Sequence, residues 1–125
     1  MPEQWFQVVD TDKIPTPSLL VYPNRVEENI RRTIEAVGSP DRLRPHVKTH
    51  KMPAVIKLQL AAGITKFKCA TIAEMEMVAD CGVRDILLAY QPVGPNIRRL
   101  KELAGKFPDA RLAAIVDNPA IAAEL

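Results

Sequence analysis

Residues 66–89, KFKCATIAEMEMVADCGVRDILLA, decide the fold. A short β-rich run at 66–70 is followed by an amphipathic segment that ends at a glycine, and a second apolar run follows at 85–89. Thr71 and Glu74 have the three-residue spacing of a capping box, so they predict the amino terminus of a helix. Because two strands joined by a single helix run parallel with a right-handed crossover, the stretch predicts a β-α-β unit.

The same alternation continues on both sides of this unit. Five β-rich runs are predicted in all, at 18–22, 43–48, 66–70, 85–89 and 111–116. An amphipathic segment follows each run, and no change of composition suggests a linker between domains. The pattern predicts an α/β fold with a parallel sheet, which is either a doubly wound open sheet or part of a (β/α)8 barrel.

The amphipathic segments carry signals for their ends. The first helix is predicted to begin at the capping residue Asn24, with Glu27 as its capping-box partner, and to end at Gly38. The later helices are predicted to begin at Pro53, Thr71, Asn96 and Asn118–Pro119. Their apolar faces are predicted to include Val26, Ile30 and Ile34 in the first helix and Ile97, Leu100 and Leu103 in the fourth.

The length bears on the choice of architecture. A complete (β/α)8 barrel needs about 250 residues, whereas the chain has 125. The last predicted helix has run only about two turns when the sequence stops at Leu125. We therefore expect about half of a barrel, with about four of its eight strands, in a piece of a longer protein.

Composition excludes several functional classes. The chain is 47% hydrophobic and 26% charged, which is typical of globular proteins, and its net charge of +2 favours neither nucleic acid nor an anionic membrane as a partner. Cys69 and Cys81 are too few for a disulfide framework. No apolar run is long enough to span a bilayer, and residues 1–10 lack the pattern of a secretion signal. These features predict a cytoplasmic protein.

One segment stands out chemically, residues 44–51, RPHVKTHK. It contains both histidines of the chain and ends the second predicted strand, and the carboxyl ends of parallel strands are where active sites form. Strand alternation would place Arg44, His46 and Lys48 on one face. A partly desolvated lysine among other cations is a good nucleophile towards an aldehyde, and Lys48 fits that description best.

Alternatives to this interpretation remain open. The charges could be solvated at a strand end, or His46 and His50 could bind a metal, although their spacing on a strand does not bring them together. Lys51 and Lys68 are rival nucleophiles, and Asp117 is either an active-site carboxylate or a signal for the start of a helix. Cys69 is predicted to be a core residue. Signatures of common dinucleotide, nucleotide, serine-hydrolase and zinc-protease sites are absent.

Four segments carry a resemblance to a known family. They are TPSLLVYPNRVEENIRR, RLRPHVKTHK, LQLAAGITKFKCATIAEMEMVADCGVRDILLAYQPVGPN and LAAIVDN. Together they resemble the amino-terminal half of the D-threonine aldolase and D-serine dehydratase group, which are pyridoxal-phosphate enzymes of the alanine racemase-like fold. The resemblance runs from about Thr16 onward and is most specific in RPHVKTHK and CATIAEMEMV.

The resemblance implies roles for individual residues. Lys48 would form the Schiff base with pyridoxal 5'-phosphate, and His46, Thr49, His50 and Gln91 would line the cofactor side of the barrel mouth. Lys48 would lie on the first strand of the barrel. Residues 1–22 would then be an amino-terminal segment whose strand pairs with a carboxyl-terminal β domain, and residues 23–125 would be the first half of the cofactor-binding barrel.

The resemblance also implies an activity. The full-length protein would be a lyase for D-3-hydroxy amino acids, first of all an aldolase of the D-threonine type that releases glycine and an aldehyde. The alternatives are a D-serine dehydratase that forms an oxo acid and ammonia, a non-catalytic cofactor-binding barrel, and a truncated product without function. A divalent metal would be bound by a His and a Cys or Asp outside this chain. The full-length protein would be a homodimer, and the 125 residues alone would be inactive.

Overall fold

The computed structural model describes residues 4–125, so Met1–Glu3 of the predicted segment 1–22 lie outside the described residues. It contains three strands, β1 (Lys66–Cys69), β2 (Asp85–Leu88) and β3 (Arg111–Ala114). The α-helices are α1 (Pro23–Val37), α2 (Pro53–Ala61), α3 (Ile72–Asp80), α4 (Pro95–Lys106) and α5 (Pro119–Glu124). Short 3-10 turns occupy Thr11–Lys13, Pro40–Arg42 and Val47–Thr49. Among the described residues, none of the helices has the length and apolar character needed to cross a membrane.

The three strands form one parallel sheet in the order β1-β2-β3. Lys66 lies opposite Asp85, and Asp85 lies opposite Arg111, so the strands start in register. A single helix connects each strand to the next, as parallel pairing requires. The predicted α/β fold with a parallel sheet is therefore confirmed.

One face of the sheet carries the core. Phe67 and Cys69 of β1 and Ile86 and Leu88 of β2 are completely buried. They belong to one apolar cluster with residues of α3 such as Met75. Each such side chain contributes roughly 1.5–3 kcal/mol when it is removed from water. Because strand residues alternate, their neighbours in β1 and β2 lie on the opposite face, where they are only half-buried.

The predicted apolar stripes of two helices are buried as expected. In α1 Ile30 is buried, and Val26 and Ile34 pack against the core from partly buried positions. In α4 the buried residues are Ile97, Leu100 and Leu103. The 3.6-residue periodicity of the sequence was therefore sufficient to identify these faces.

Three of the predicted helix ends are confirmed by their hydrogen bonds or backbone angles. The Thr71 hydroxyl accepts a hydrogen bond of 3.1 Å from the Glu74 N–H, and Asn118 Oδ1 accepts one of 2.9 Å from the Ala120 N–H. Gly38 follows α1 with a φ of 83°, a left-handed conformation that favours glycine.

Two predicted helix starts are two residues late. Asn24 and Asn96 are not capping residues, because α1 begins at Pro23 and α4 begins at Pro95. The capping-box pairing of Asn24 with Glu27 is therefore absent. A proline suits the first helical position because it has no N–H to satisfy and its φ is already helical, so it moves the start ahead of the asparagine.

The prediction of a second strand at 43–48 is also wrong, because these residues do not form a strand. Only His46 pairs with β1, through an isolated parallel bridge to Lys68, and the 3-10 turn Val47–Thr49 follows at once. Val47 turns inward and is completely buried, and its carbonyl accepts a 2.8 Å hydrogen bond from the Lys51 N–H. The backbone therefore leaves the ladder, and Lys48 does not continue a strand face with His46.

The first predicted run, 18–22, forms no strand within residues 4–125. Leu19, Leu20 and Val21 in it are exposed, with 76%, 47% and 39% of their surface accessible. A strand needs a partner for its backbone groups, and the described residues supply none here. Its pairing with a further β domain stays a prediction.

An ion pair on the half-buried face ties the segment before the turn to the sheet. Arg44 Nη1 donates to Asp85 Oδ1 at 2.7 Å and to the Phe67 carbonyl at 3.2 Å. Arg44 thus joins its own segment to both β1 and β2. The hydrogen bond from Arg44 holds the pKa of Asp85 below its usual 3.8, although partial burial acts in the opposite direction.

We expect Asp85→Asn to lower the free energy of unfolding by about 1–2 kcal/mol at pH 7, since it breaks a partly buried, charge-assisted hydrogen bond. Because the folded-state pKa of Asp85 is lowered, its contribution is complete above the ordinary value and is lost as the pH falls through the lowered one. Urea unfolding between pH 7 and pH 2 measures this. Asp80→Asn, at an exposed position on α3, is the control. A difference between Asp85→Asn and the unchanged protein that persists undiminished at low pH would contradict the assignment.

Candidate functional site around Lys48

The candidate site lies where β1 ends and the turn Val47–Thr49 begins. The bridge between His46 and Lys68 joins the two segments at this point, and the Lys68 N–H donates to the Pro45 carbonyl at 2.9 Å. Residues 70 and 71 lead from β1 into α3 beside the turn. The histidine and lysine motif therefore meets the carboxyl end of a parallel strand, as predicted.

The backbone around Lys48 is held by short-range hydrogen bonds. The Lys48 N–H donates to His46 Nδ1 at 3.3 Å, and the Thr49 hydroxyl donates to the His46 carbonyl at 3.3 Å. The Lys51 N–H closes the turn by donating to the Val47 carbonyl, and Lys51 has a φ of 50°. The side chain of Lys48 is exposed, so the expectation that it is partly desolvated is wrong for the described residues. The predicted alignment of Lys48 with Arg44 and His46 on one strand face is also wrong, because Lys48 lies in the turn Val47–Thr49 and not on a strand.

His46 is a neutral hydrogen-bond acceptor at its Nδ1 atom. Partial burial lowers the pKa of His46, and the nearby amines of Lys48, Lys68 and Lys51 lower it further, while Glu74 opposes them. Because Nδ1 accepts the Lys48 N–H, the proton of the neutral ring lies on Nε2. His46 thus shapes the turn that carries Lys48 and lies among several cations.

Glu74 is the acid of this site, and sequence reasoning assigned it only a capping role. It is the one charged side chain that is buried among residues 4–125, with 5% of its surface exposed. Its Oε1 pairs with the Lys51 amine, and its Oε2 accepts the Ala70 N–H at 2.7 Å. Burial by itself would raise the pKa of Glu74, but these two donors hold it below its usual range. The capping-box spacing located this residue, yet it contained no sign of the contact with Lys51.

His50 and Thr49 line a groove of about 640 Å³, and Lys48 does not line it. His50 Nδ1 accepts the Met52 N–H at 3.1 Å, while the buried Nε2 has no hydrogen-bond partner within the part of the chain that is described. Burial lowers the pKa of His50, although Glu74 acts in the opposite direction, so the ring is neutral and Nε2 carries its proton. Of the predicted cofactor-binding residues, Thr49 and His50 line this groove, and His46, Lys48 and Gln91 do not.

Gln91 joins two loops at the carboxyl ends of the strands. Its Oε1 accepts hydrogen bonds of 3.0 Å from the N–H groups of both Asp117 and Asn118. The loop after β2 is thereby tied to the loop after β3. Asp117 contributes its backbone to this tie and precedes the confirmed start of α5. Neither Gln91 nor Asp117 has a hydrogen bond to Lys48.

The remaining candidates have distinct environments. Cys69 is completely buried, and burial raises its pKa to about 12, which confirms it as a core thiol. Lys68 lies half-buried on β1 beside His46. The Lys51 amine forms an ion pair with Glu74. Within the described range, no group of three or more His, Cys, Asp or Glu side chains is arranged to hold a metal ion.

The arrangement places the primary amine of Lys48 in a group of lysine side chains around His46. Lys48 offers an exposed amine, and the amines of Lys48, Lys68 and Lys51 all act on the charge of His46, which is bridged to Lys68 at the end of β1. An amine of this kind condenses with an aldehyde, and neighbouring cations favour a ligand that carries negative charge. The site is therefore suited to an anionic carbonyl compound.

Comparison with known proteins gives several relatives, although no protein-family model matches the chain. D-threonine aldolase of Arthrobacter sp. is 32% identical over 108 residues, which is 85% of this chain. D-threo-3-hydroxyaspartate dehydratase of Delftia sp. is 33% identical over 110 residues, or 87% of this chain. 3-Hydroxy-D-aspartate aldolase of Paracoccus denitrificans is 34% identical over 98 residues, or 76%.

A solved structure agrees with these relatives. The crystal structure of D-threonine aldolase from Filomicrobium marinum superposes with a TM-score of 0.78 and 31% identity, over 90% of this chain and 30% of that one. The chain spans 28% of the length of the Arthrobacter and Delftia relatives. Sequence and fold agree over the same large share of the chain. The chain therefore belongs to the family of D-threonine aldolases and 3-hydroxy-D-aspartate aldolases and dehydratases.

Proposed function

We propose that the protein is a pyridoxal-phosphate-dependent lyase for D-3-hydroxy amino acids, in which Lys48 binds the cofactor covalently. The main observation behind the proposal is that the Lys48 amine is exposed at the carboxyl end of the sheet. It belongs to the group of lysines around His46. The membership of the family and the names of the relatives support the same class of substrate.

The side chains of the site fit this cofactor chemically. Pyridoxal phosphate presents an aldehyde and a phosphate dianion, and the site offers the Lys48 amine, the Lys68 cation and the neutral ring of His46. His50 lies in the groove that Lys48 does not line, and its buried Nε2–H donor has no partner within residues 4–125. We propose that His46, Thr49 and His50 contribute to binding, and that Gln91 acts by holding the two loops at the mouth.

The chemistry divides between the cofactor and the protein. Pyridoxal phosphate, when bound, withdraws electron density from Cα of an amino acid. The chain supplies Lys48 Nζ, which would hold the cofactor at rest and exchange a proton with the substrate Cα once released. His46 Nδ1 keeps the backbone of Lys48 in place. The residues that bind the β-hydroxyl group would lie outside this chain, as would the divalent metal that the family resemblance implies.

The sheet supports a barrel as the complete architecture. The strand order follows the sequence without reversal, whereas a doubly wound sheet reverses its order at a switch point. The core side chains of β1 and β2 lie on one face, and Lys66, Lys68 and Asp85 alternate with them on the other. We propose that β1, β2, β3 and the segment at His46 form the first half of a (β/α)8 barrel with its polar face inward.

Two reactions fit the proposed site. We favour aldol cleavage to glycine and an aldehyde, because two of the relatives are named as aldolases. Dehydration is the second candidate, because the Delftia relative, at 33% identity, is named as a dehydratase. Both reactions begin from the same lysine, so the residues described here do not favour one over the other. A homodimeric full-length protein in the cytoplasm stays a prediction.

We expect pyridoxal phosphate followed by borohydride to label the protein at Lys48, because this amine is exposed and lies among cations. Peptide mass mapping measures the position of the label. Lys48→Ala should remove nearly all of it, whereas Lys57→Ala, at an exposed position on α2, should leave it unchanged. A main adduct at Lys51 or Lys68 would overturn the assignment.

We expect the 125-residue chain to bind pyridoxal phosphate without cleaving or deaminating D-threonine or D-serine. The reason is that most of the length of the relatives has no counterpart in it. Assays for released aldehyde and for oxo acid measure this. Turnover that Lys48→Ala abolishes would show that the chain is sufficient for the reaction.

A further inference from the structure

We propose that Glu74 is a positioning residue that selects Lys48 over Lys51 as the available amine, by holding the Lys51 amine in an ion pair. The Glu74 carboxylate is buried, whereas the Lys51 side chain is 59% exposed, so the selection acts through the contact and not through burial of Lys51. The selection of one amine stands on geometry alone, and its consequence for the cofactor rests on the proposed function. Lys48 and Lys51 lie three residues apart in one turn, so some feature of the fold must distinguish them.

The carboxylate of Glu74 is anchored independently of Lys51. Its main-chain N–H donates to the Thr71 hydroxyl at 3.1 Å, and its Oε2 accepts the Ala70 N–H at 2.7 Å. Only 5% of the side chain is exposed. A carboxylate buried in this way requires a partner for its charge, and the first turn of α3 holds it in one place.

Lys51 adopts an unusual backbone conformation to reach this carboxylate. Its φ of 50° lies in the left-handed region, which a residue with a Cβ atom rarely adopts. A glycine would be the ordinary choice at this position, which closes a turn through the Lys51 N–H to Val47 carbonyl hydrogen bond. The ion pair with Glu74 gives a physical reason for a lysine here, and it joins the turn to the loop that follows β1.

Lys48 is left without a competing acid. Among residues 4–125, no carboxylate oxygen lies within 4.0 Å of its amine. Glu74 and the amines of Lys48, Lys51 and Lys68 all act on the charge of His46, so this acid and these cations surround the same ring. Because Glu74 is already paired with Lys51, it does not capture the Lys48 amine. Removing Lys51 would therefore leave the Glu74 charge unpaired, and we expect the exposed Lys48 amine to move to it.

Limited acetylation with acetic anhydride measures the reactivity of the Lys48 and Lys51 amines without any cofactor. In the unchanged protein we expect Lys48 to be acetylated faster than Lys51. In Glu74→Gln, which keeps an acceptor for the Ala70 N–H and loses the charge, the ratio of Lys51 to Lys48 product should rise about tenfold, as expected for the loss of a charge-assisted hydrogen bond. The pyridoxal-phosphate adduct should spread to Lys51 in parallel. A ratio equal to that of the unchanged protein would overturn the proposal.

Glu76→Gln is the matched control. It makes the same change two residues further along α3, and it removes an ion pair of 2.7 Å with Lys106 that lies away from the turn. We expect it to leave the ratio of the two products unchanged. A rise as large as that of Glu74→Gln would attribute the effect to loss of a helix charge and would contradict the proposal.

Two changes at Lys51 keep the test decisive if Glu74→Gln does not fold. Lys51→Gly tolerates the left-handed backbone but removes the partner of Glu74, so acetylation of Lys48 should slow several-fold as the exposed Lys48 amine turns to the unpaired carboxylate. Lys51→Arg keeps the charge and should leave Lys48 as reactive as before. Equal rates at Lys48 in the two variants would overturn the proposal.

The two proposals fail in different ways. Selective acetylation of Lys48 that depends on Glu74, together with no pyridoxal-phosphate adduct at Lys48, would support the selection and contradict the proposed function. An adduct at Lys48 that is indifferent to Glu74 and Lys51 would support the proposed function and overturn the selection.

Discussion

The one-sided burial of a short parallel sheet is the constraint on which the rest of the structure depends. Phe67, Cys69, Ile86 and Leu88 are withdrawn completely from water on the face that α3 covers. Strand alternation then leaves the opposite face for residues between them, including Lys68. Parallel pairing brings the carboxyl ends of the strands to one edge, and the turn after His46 meets that edge. Apolar packing on one side thus determines where polar chemistry gathers on the other.

Glu74 connects this packing to the site. It belongs to the first turn of α3, whose apolar residues cover the sheet, and its carboxylate reaches across to Lys51 in the turn that carries Lys48. A buried acid is costly unless it is paired and hydrogen-bonded, and here both oxygens have donors. Its two contacts place the helix, the end of β1 and the turn in a single arrangement.

Family membership and site geometry support the proposed chemistry at different levels. The relatives are named as aldolases and as a dehydratase, so the family includes two outcomes for related substrates. In the proposed chemistry Lys48 would supply an amine that either outcome can use, while the groups that decide which bond breaks would act on the substrate Cβ and its hydroxyl. The relatives are more than three times as long as the region they share with this chain, which leaves room for such groups elsewhere.

The sequence by itself determined the α/β class, the apolar helix faces and the capping of α3 by Thr71, because periodicity and capping are local properties, and it indicated the segment of the candidate site. It also carried the family resemblance. Only the tertiary structure decided that the segment at 43–48 leaves the sheet after His46, that Lys48 is exposed, and that Glu74 pairs with Lys51. Two of the contacts that decide them join residues far apart in the chain: the Glu74–Lys51 pair spans 23 residues, and the bridge of His46 is to Lys68. Local patterns contain no record of which distant groups will meet, so that part of the site follows from packing alone.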